Sequence, residues 1–248
     1  MALADPQLER LLERADLWRG DAYYPGPLGQ DSGYPELNRY LGHGGWPAHG
    51  LCEIFYSCEG IGELSLVLPL MRRLIPSRSR QSGAASLVSL VAPPHVPYPQ
   101  QLLMQGIDVS RLLWVDTQVP KEQLWALEQI LTSGVSPLVL CWLDQLSTSQ
   151  ARRLQLACEK GESLCVCYLP SKLKVQPHPV PLRLALQPEL AGKSSAFATQ
   201  VDILKRRGGW PAPKFSLSLL PELLAQSLKG DTPSSLAGGQ VVQGPWST

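Results

Sequence analysis

Nowhere in the 248 residues does an apolar run reach the roughly 18 positions that a membrane-spanning helix needs. The N-terminus sets Asp5, Glu9, Arg10, Glu13 and Arg14 among its leucines, so it lacks the apolar stretch of an export signal. Charge is scarce: Asp, Glu, Lys and Arg make up 17% of the chain, and the net charge is +1. Such a balance supplies no global attraction for a polyanion, so any nucleic-acid contact has to be local. No C-x-x-C pair occurs among Cys52, Cys58, Cys141, Cys158, Cys165 and Cys167, and His43, His49, His95 and His178 follow no zinc-ligand spacing. The cysteines lie mostly in apolar runs and read as buried free thiols, the usage of a cytosolic protein. No Ser/His/Asp or Cys/His arrangement is readable, so no catalytic residue, metal or cofactor is expected.

What is present is an alternation of strand and helix patterns. Residues 3–19 carry Leu3, Leu8, Leu11, Leu12, Ala15 and Trp18 at helical spacing. A Gly/Pro/Tyr-rich linker follows to Pro35, so residues 1–36 read as a helix plus linker. An isolated helix of that length is marginal, and it needs a partner surface on this chain or on another. Residues 37–187 read as one α/β core. Strands are expected at Gly50–Tyr56, Ala85–Ala92, Arg111–Val115, Pro137–Leu143 and Leu164–Leu169, with helices at Glu63–Leu74, Gln100–Gly106, Lys121–Ser133 and Ser149–Gly161. Continuous apolar runs in the strands indicate a mostly parallel sheet covered by helices on both faces. Pro181–Gln187 alternates Leu182, Leu184 and Leu186, the pattern of an antiparallel edge strand. Residues 188–228 read as a hairpin-like unit (Gln200–Lys205 and Lys214–Leu220) and a short helix over Pro221–Leu228; the Ser/Gly/Gln/Pro-rich residues 229–248 read as a disordered tail. Trp18, Trp46, Trp114, Trp125, Trp142 and Trp210 are spread through these elements, most of them as expected core.

The segment Phe55–Leu64 has the spacing of a phosphate-binding loop with different chemistry. The pattern G-x-x-x-x-G-K-[ST] lies between a strand and a helix. Gly62 is in register and Gly60 permits the tight turn, but Ser57 stands at the first glycine, Glu63 at the lysine and Leu64 at the magnesium-binding hydroxyl. A carboxylate repels a triphosphate where a lysine attracts it. In addition, the strand Leu138–Leu143 has no carboxylate before Asp144, although such folds place a magnesium-orienting acid there. Two losses at one site read against ATP hydrolysis.

Lys205, Arg206 and Arg207, followed by Gly208-Gly209-Trp210-Pro211, form the densest positive charge in the chain. Cations beside a Gly-Gly turn and an aromatic ring suit a nucleic-acid backbone and a stacked base. They suit equally a solvated hairpin tip with Trp210 on the sheet, or a protein partner.

Several of these segments resemble the RecA-like, P-loop NTPase fold with a degenerate nucleotide site. They are more similar still to the ImuA family, which is related to the SulA division inhibitors. The signatures are Leu41–Pro47, Gly50-Leu51-Cys52-Glu53-Ile54, Gly60–Leu64, Ala92–Tyr98, Leu124–Gln129, Arg153–Ala157 and Leu204–Gly209, together spanning roughly residues 37–220. On this resemblance Trp142 takes the place of the lost acid. It implies a noncatalytic accessory protein of damage-induced (SOS) translesion DNA synthesis. The implied partners are an ImuB-like protein, RecA and an error-prone polymerase, with DNA contact and self-association as further expectations. The alternative it implies is a SulA-like inhibitor that binds the division GTPase FtsZ.

Overall fold

The computed structural model describes residues 29–76, 86–189, 198–207 and 212–219. The helix expected at 3–19, the helix at 221–228 and the tail at 229–248 lie outside the described residues.

Among the described residues, eight strands form one mixed sheet in the order β3-β2-β4-β5-β1-β6-β7-β8. They are β1 (Gly50–Tyr56), β2 (Val88–Val91), β3 (Leu112–Val115), β4 (Leu138–Trp142), β5 (Leu164–Pro170), β6 (Leu182–Pro188), β7 (Ala198–Arg206) and β8 (Phe215–Ser218). The first six are mutually parallel, whereas β7 and β8 run antiparallel. Among the described residues five α-helices accompany them: α1 (Pro35–Tyr40), α2 (Leu68–Leu74), α3 (Pro99–Met104), α4 (Pro120–Ser133) and α5 (Thr148–Lys160).

Strand alternation divides the core into two layers. Cys52, Ile54, Leu90, Leu140, Val166 and Leu184 face α2 and α3, while Leu51, Phe55, Val139, Cys165 and Ala185 face α4 and α5. The result is a three-layer α/β/α arrangement, built where apolar runs are buried on both faces. The local signals agree with it. Pro120 opens α4 and left-handed Gly134 (φ 68°) closes it. Ser147 and Gln150 form a reciprocal capping box at the start of α5. Cys58 is exposed and the other five thiols are buried.

Three expectations need correction. The helix expected from Glu63 begins only at Leu68. Residues 63–67 form turns, in which Val67 N–H donates to Leu64 O (3.1 Å) and Leu68 N–H to Ser65 O (3.3 Å). Pro181–Gln187 is no antiparallel edge, because β6 is interior, parallel to β1 on one side and antiparallel to β7 on the other. Its alternation is genuine, but the second face is covered by the chain linking β5 to β6 and not by solvent. Trp125 projects outward at 65% exposure, although Trp46 is fully buried.

That β5–β6 link (residues 171–181) carries no α-helix; a short 3-10 helix (Ser171–Val175) and irregular chain after it lie over β1 and β6. Its backbone carbonyls need donors, and the sheet provides them. Arg183 of β6 donates through Nη2 to Lys174 O (3.2 Å) and Gln176 O (2.7 Å). Lys205 of β7 donates to His178 O (3.0 Å). Glu53, fully buried in β1, accepts from Arg183 Nε at 2.6 Å and from His178 Nδ1. The Arg183 guanidinium also stacks over Phe55, 4.8 Å from the ring centroid. This buried Glu53–His178–Arg183 cluster therefore staples the crossover to the sheet.

Candidate functional site

The loop after β1 opens at the carboxyl ends of the strands, beside the place where the chain changes direction in the sheet. α/β proteins place their ligands there. Gly60 (φ 78°) and Gly62 (φ 92°) both adopt left-handed backbone, so these two glycines are required by geometry. A Cβ on Gly62 would lie 2.6 Å from Leu219 Cδ1, because the chain just after β8 packs over the loop.

Three hydroxyls from three separate segments hold this turn through alternate carbonyls. Thr199 of β7 donates to Ile61 O (2.6 Å), Tyr168 of β5 to Glu63 O (3.0 Å) and Tyr34 to Ser65 O (2.9 Å). Glu63 Oε1 accepts from Gly60 N–H at 3.2 Å. An amide of the kind that faces a phosphate in a binding loop thus meets a carboxylate of the loop itself. Leu64, at the position of the magnesium hydroxyl, packs against the core. Ser57 is exposed and its hydroxyl lies 3.8 Å from Cys58 Sγ.

Beneath the loop the space is filled with rings. Trp142 ends β4 at 9% exposure and stacks on fully buried Tyr168, with centroids 4.7 Å apart and planes 19° apart. Stacked rings at this separation are attractive in themselves, beyond the area they bury. Asp144, two residues later, is exposed.

The electrostatics at the mouth are acidic. Burial raises the Tyr56 phenol above its ordinary value, and the nearby charges of Glu59, Glu63 and Asp144 raise it further. The same carboxylates oppose an incoming triphosphate. Glu59 is itself paired with His95 across the surface at 2.6 Å.

Burial also raises the phenols below and beside the loop, Tyr34 to about 12 and Tyr168 well above its ordinary value of 10.0. Both are neutral donors in the folded chain, whereas in the unfolded chain they ionise near 10. Their contribution to stability is complete below pH 10 and is lost as the pH rises through the folded values. Urea melts at pH 9 and near pH 12 are expected to show lower stability at the higher pH. Tyr34→Phe removes part of that loss.

The basic cluster is divided by the two-residue period of β7. Lys205 faces the crossover and bonds His178 O, whereas Arg206 faces the opposite layer and donates to Tyr40 O. Arg207 is exposed just past the strand end, its N–H bonded to Pro181 O at 2.9 Å. Trp210 lies outside the described residues. The three cations are therefore not one clamp, and two of them are engaged in holding the fold.

Sequence reasoning missed Tyr168, Thr199 and Tyr34 around the loop, and the Glu53–His178–Arg183 cluster behind it. The signal available for the cluster was a lone carboxylate inside the apolar run of β1 and a lone arginine among the leucines of β6.

No family model matches the chain. Among curated proteins it is 31% identical over 108 residues to the cell division inhibitor SulA of Edwardsiella piscicida, covering 43% of this chain and 64% of that protein. It is 30% identical over 96 residues to the cell division inhibitor SulA of Photorhabdus laumondii subsp. laumondii, covering 38% of this chain and 54% of that one. The chain thus spans between half and two thirds of the length of these relatives. Among solved structures, SulA from Pseudomonas aeruginosa matches at 24% identity and a TM-score of 0.39, over 48% of this chain and 97% of that one. The sequence likeness is to SulA; none of these comparisons distinguishes an ImuA.

Proposed function

We propose that this chain is a SulA-like protein of the DNA-damage response that works by binding a protein partner and does not turn over nucleotide. The observation that carries this reading is the filled loop. Glu63 supplies an anion to Gly60 N–H, and Trp142 on Tyr168 occupies the floor. The strand order, with β1 between β5 and β6 and the loop at its carboxyl end, supports a RecA-like scaffold whose nucleotide site has closed. The two curated relatives, both named cell division inhibitors, support division inhibition as the activity, and FtsZ is the partner that the SulA-like resemblance implies.

Two measurements test it. Titration with Mg-ATP in a calorimeter is expected to give no binding heat, and a saturable isotherm sinks the closed-site reading. Purified chain is expected to lower the FtsZ sedimented in the presence of GTP, with filamentous cells on overexpression. Unchanged FtsZ assembly removes division inhibition.

A second reading is an accessory role in translesion synthesis, with an ImuB-like protein, RecA and an error-prone polymerase as partners. It is favoured by the resemblance segments along residues 37–220. It is favoured also because the aligned 108 residues leave more than half of this chain outside the SulA match. Affinity capture from DNA-damaged cells separates the two, since FtsZ copurifies under the first and the ImuB-like protein under the second. Both readings place the chain in the cytoplasm.

A further inference from the structure

The net charge of +1 conceals a strong asymmetry. Residues 163–219 contain eight Lys and Arg against two Asp and Glu, whereas the rest of the chain contains fourteen against nineteen. Of these eight, Lys193 lies outside the described residues, Arg206 faces the other layer and Lys214 pairs with Asp202; the other five lie along the β5–β6 crossover and the strands beneath it. Lys172 and Lys174 project from its start, both exposed and without an ion-pair partner among the described residues. Arg183 and Lys205 line its middle through the carbonyls of Lys174, Gln176 and His178, and Arg207 marks its end at Pro181 O. Arg207 is likewise exposed and without an ion-pair partner there. Of the acids nearby, Glu53 is buried against Arg183 and Asp202 is paired with Lys214 at 3.3 Å.

We propose that this row is a binding track for the phosphate backbone of single-stranded nucleic acid, contacted by Lys172, Lys174 and Arg207. The arrangement sets cations at the start of the crossover and beside its end, which matches a repeating polyanion better than a compact anion. A peptide added as a strand would need the β8 side of β7, where residues 202–206 have no partner in β8, and that edge is separate from the crossover, which lies over β1 and β6. The crossover does not need to move, since Arg183, Lys205 and Thr148 Oγ1 (to Pro177 O, 3.4 Å) already hold it. Binding of this kind is independent of base sequence and is additional to the protein partner proposed above.

The test is fluorescence anisotropy of the full chain with labelled oligo-dT, from about 50 to about 200 mM salt. Wild type is expected to bind, weakening steeply with salt. The triple variant Lys172→Glu, Lys174→Glu, Arg207→Glu is expected to bind about tenfold or more weakly. Its plot of log affinity against log salt should flatten by about 2, since each contact to a single strand contributes about 0.7. Its melting temperature should stay near that of wild type, because the three side chains hold no structural partner. No binding by wild type at the lowest salt, or an unaltered affinity in a folded variant, overturns the proposal. Displacement of oligo-dT by poly-glutamate at equal charge concentration also overturns it, in favour of an acidic protein ligand.

Discussion

Glu53→Ala is expected to destabilise the chain by about 3–5 kcal/mol, the range for removing one member of a buried ion pair. The carboxylate is fully buried and accepts from both Arg183 and His178, so its removal leaves Arg183 Nε and His178 Nδ1 in the core without their acceptor and the guanidinium without its counter-charge. His178 Nε2 already lacks a partner, so nothing on the ring compensates. Against a typical total of about 5–15 kcal/mol, this is a large share of stability. Urea denaturation checks it: the midpoint should fall while the slope is kept. Glu53→Met combined with Arg183→Met should recover only part of the loss. The double change removes the stranded charge, but Lys174 O and Gln176 O then lose their donor. Full recovery would show that the crossover does not depend on Arg183.

Trp142→Asp, which places a carboxylate at the position the RecA-like resemblance assigns to the lost acid, is expected to cost about 4 kcal/mol or more and to restore no nucleotide binding. Truncating a buried tryptophan costs about 3–5 kcal/mol through lost transfer energy and the cavity left behind. The stacking on Tyr168 goes with it. The new carboxylate would lie beside a fully buried ring and near Glu63, whose backbone carbonyl Tyr168 holds. For a chain of this size the thermal midpoint should fall by about 8–16 °C. Mg-ATP added to the variant should not raise it again. A variant that melts like wild type and is stabilised by Mg-ATP would mean that the site beneath the loop is open after all.

The two sites differ in how far local sequence exposes them. The loop is legible because its constraint is local: two glycines at fixed spacing after an apolar strand, with Glu63 and Leu64 where a lysine and a hydroxyl belong. The staple is not legible, because Glu53 lies 125 residues from His178 and 130 from Arg183. A lone carboxylate in β1 and a lone arginine in β6 are each visible locally, but nothing local says that they meet or that His178 joins them. The basic run at 205–207 shows the opposite error. Adjacent cations suggest one surface, but a strand turns successive side chains to opposite faces, so Lys205 and Arg206 serve different layers.

By itself the sequence determined the alternation of strands and helices, since apolar runs of strand length between helical periods leave a covered, mostly parallel sheet as the economical way to bury them. It also determined that Glu63 and Leu64 stand where a phosphate-loop pattern has a lysine and a hydroxyl, since that depends on residue identity at fixed spacing. Only the tertiary structure decided what packs around this loop, because Tyr34, Tyr168, Thr199 and Leu219 come to it from four distant points of the chain. It likewise decided that β6 is interior and that the free cations line a crossover. Strand order is a property of long-range pairing, and no local period encodes which strand will lie beside which.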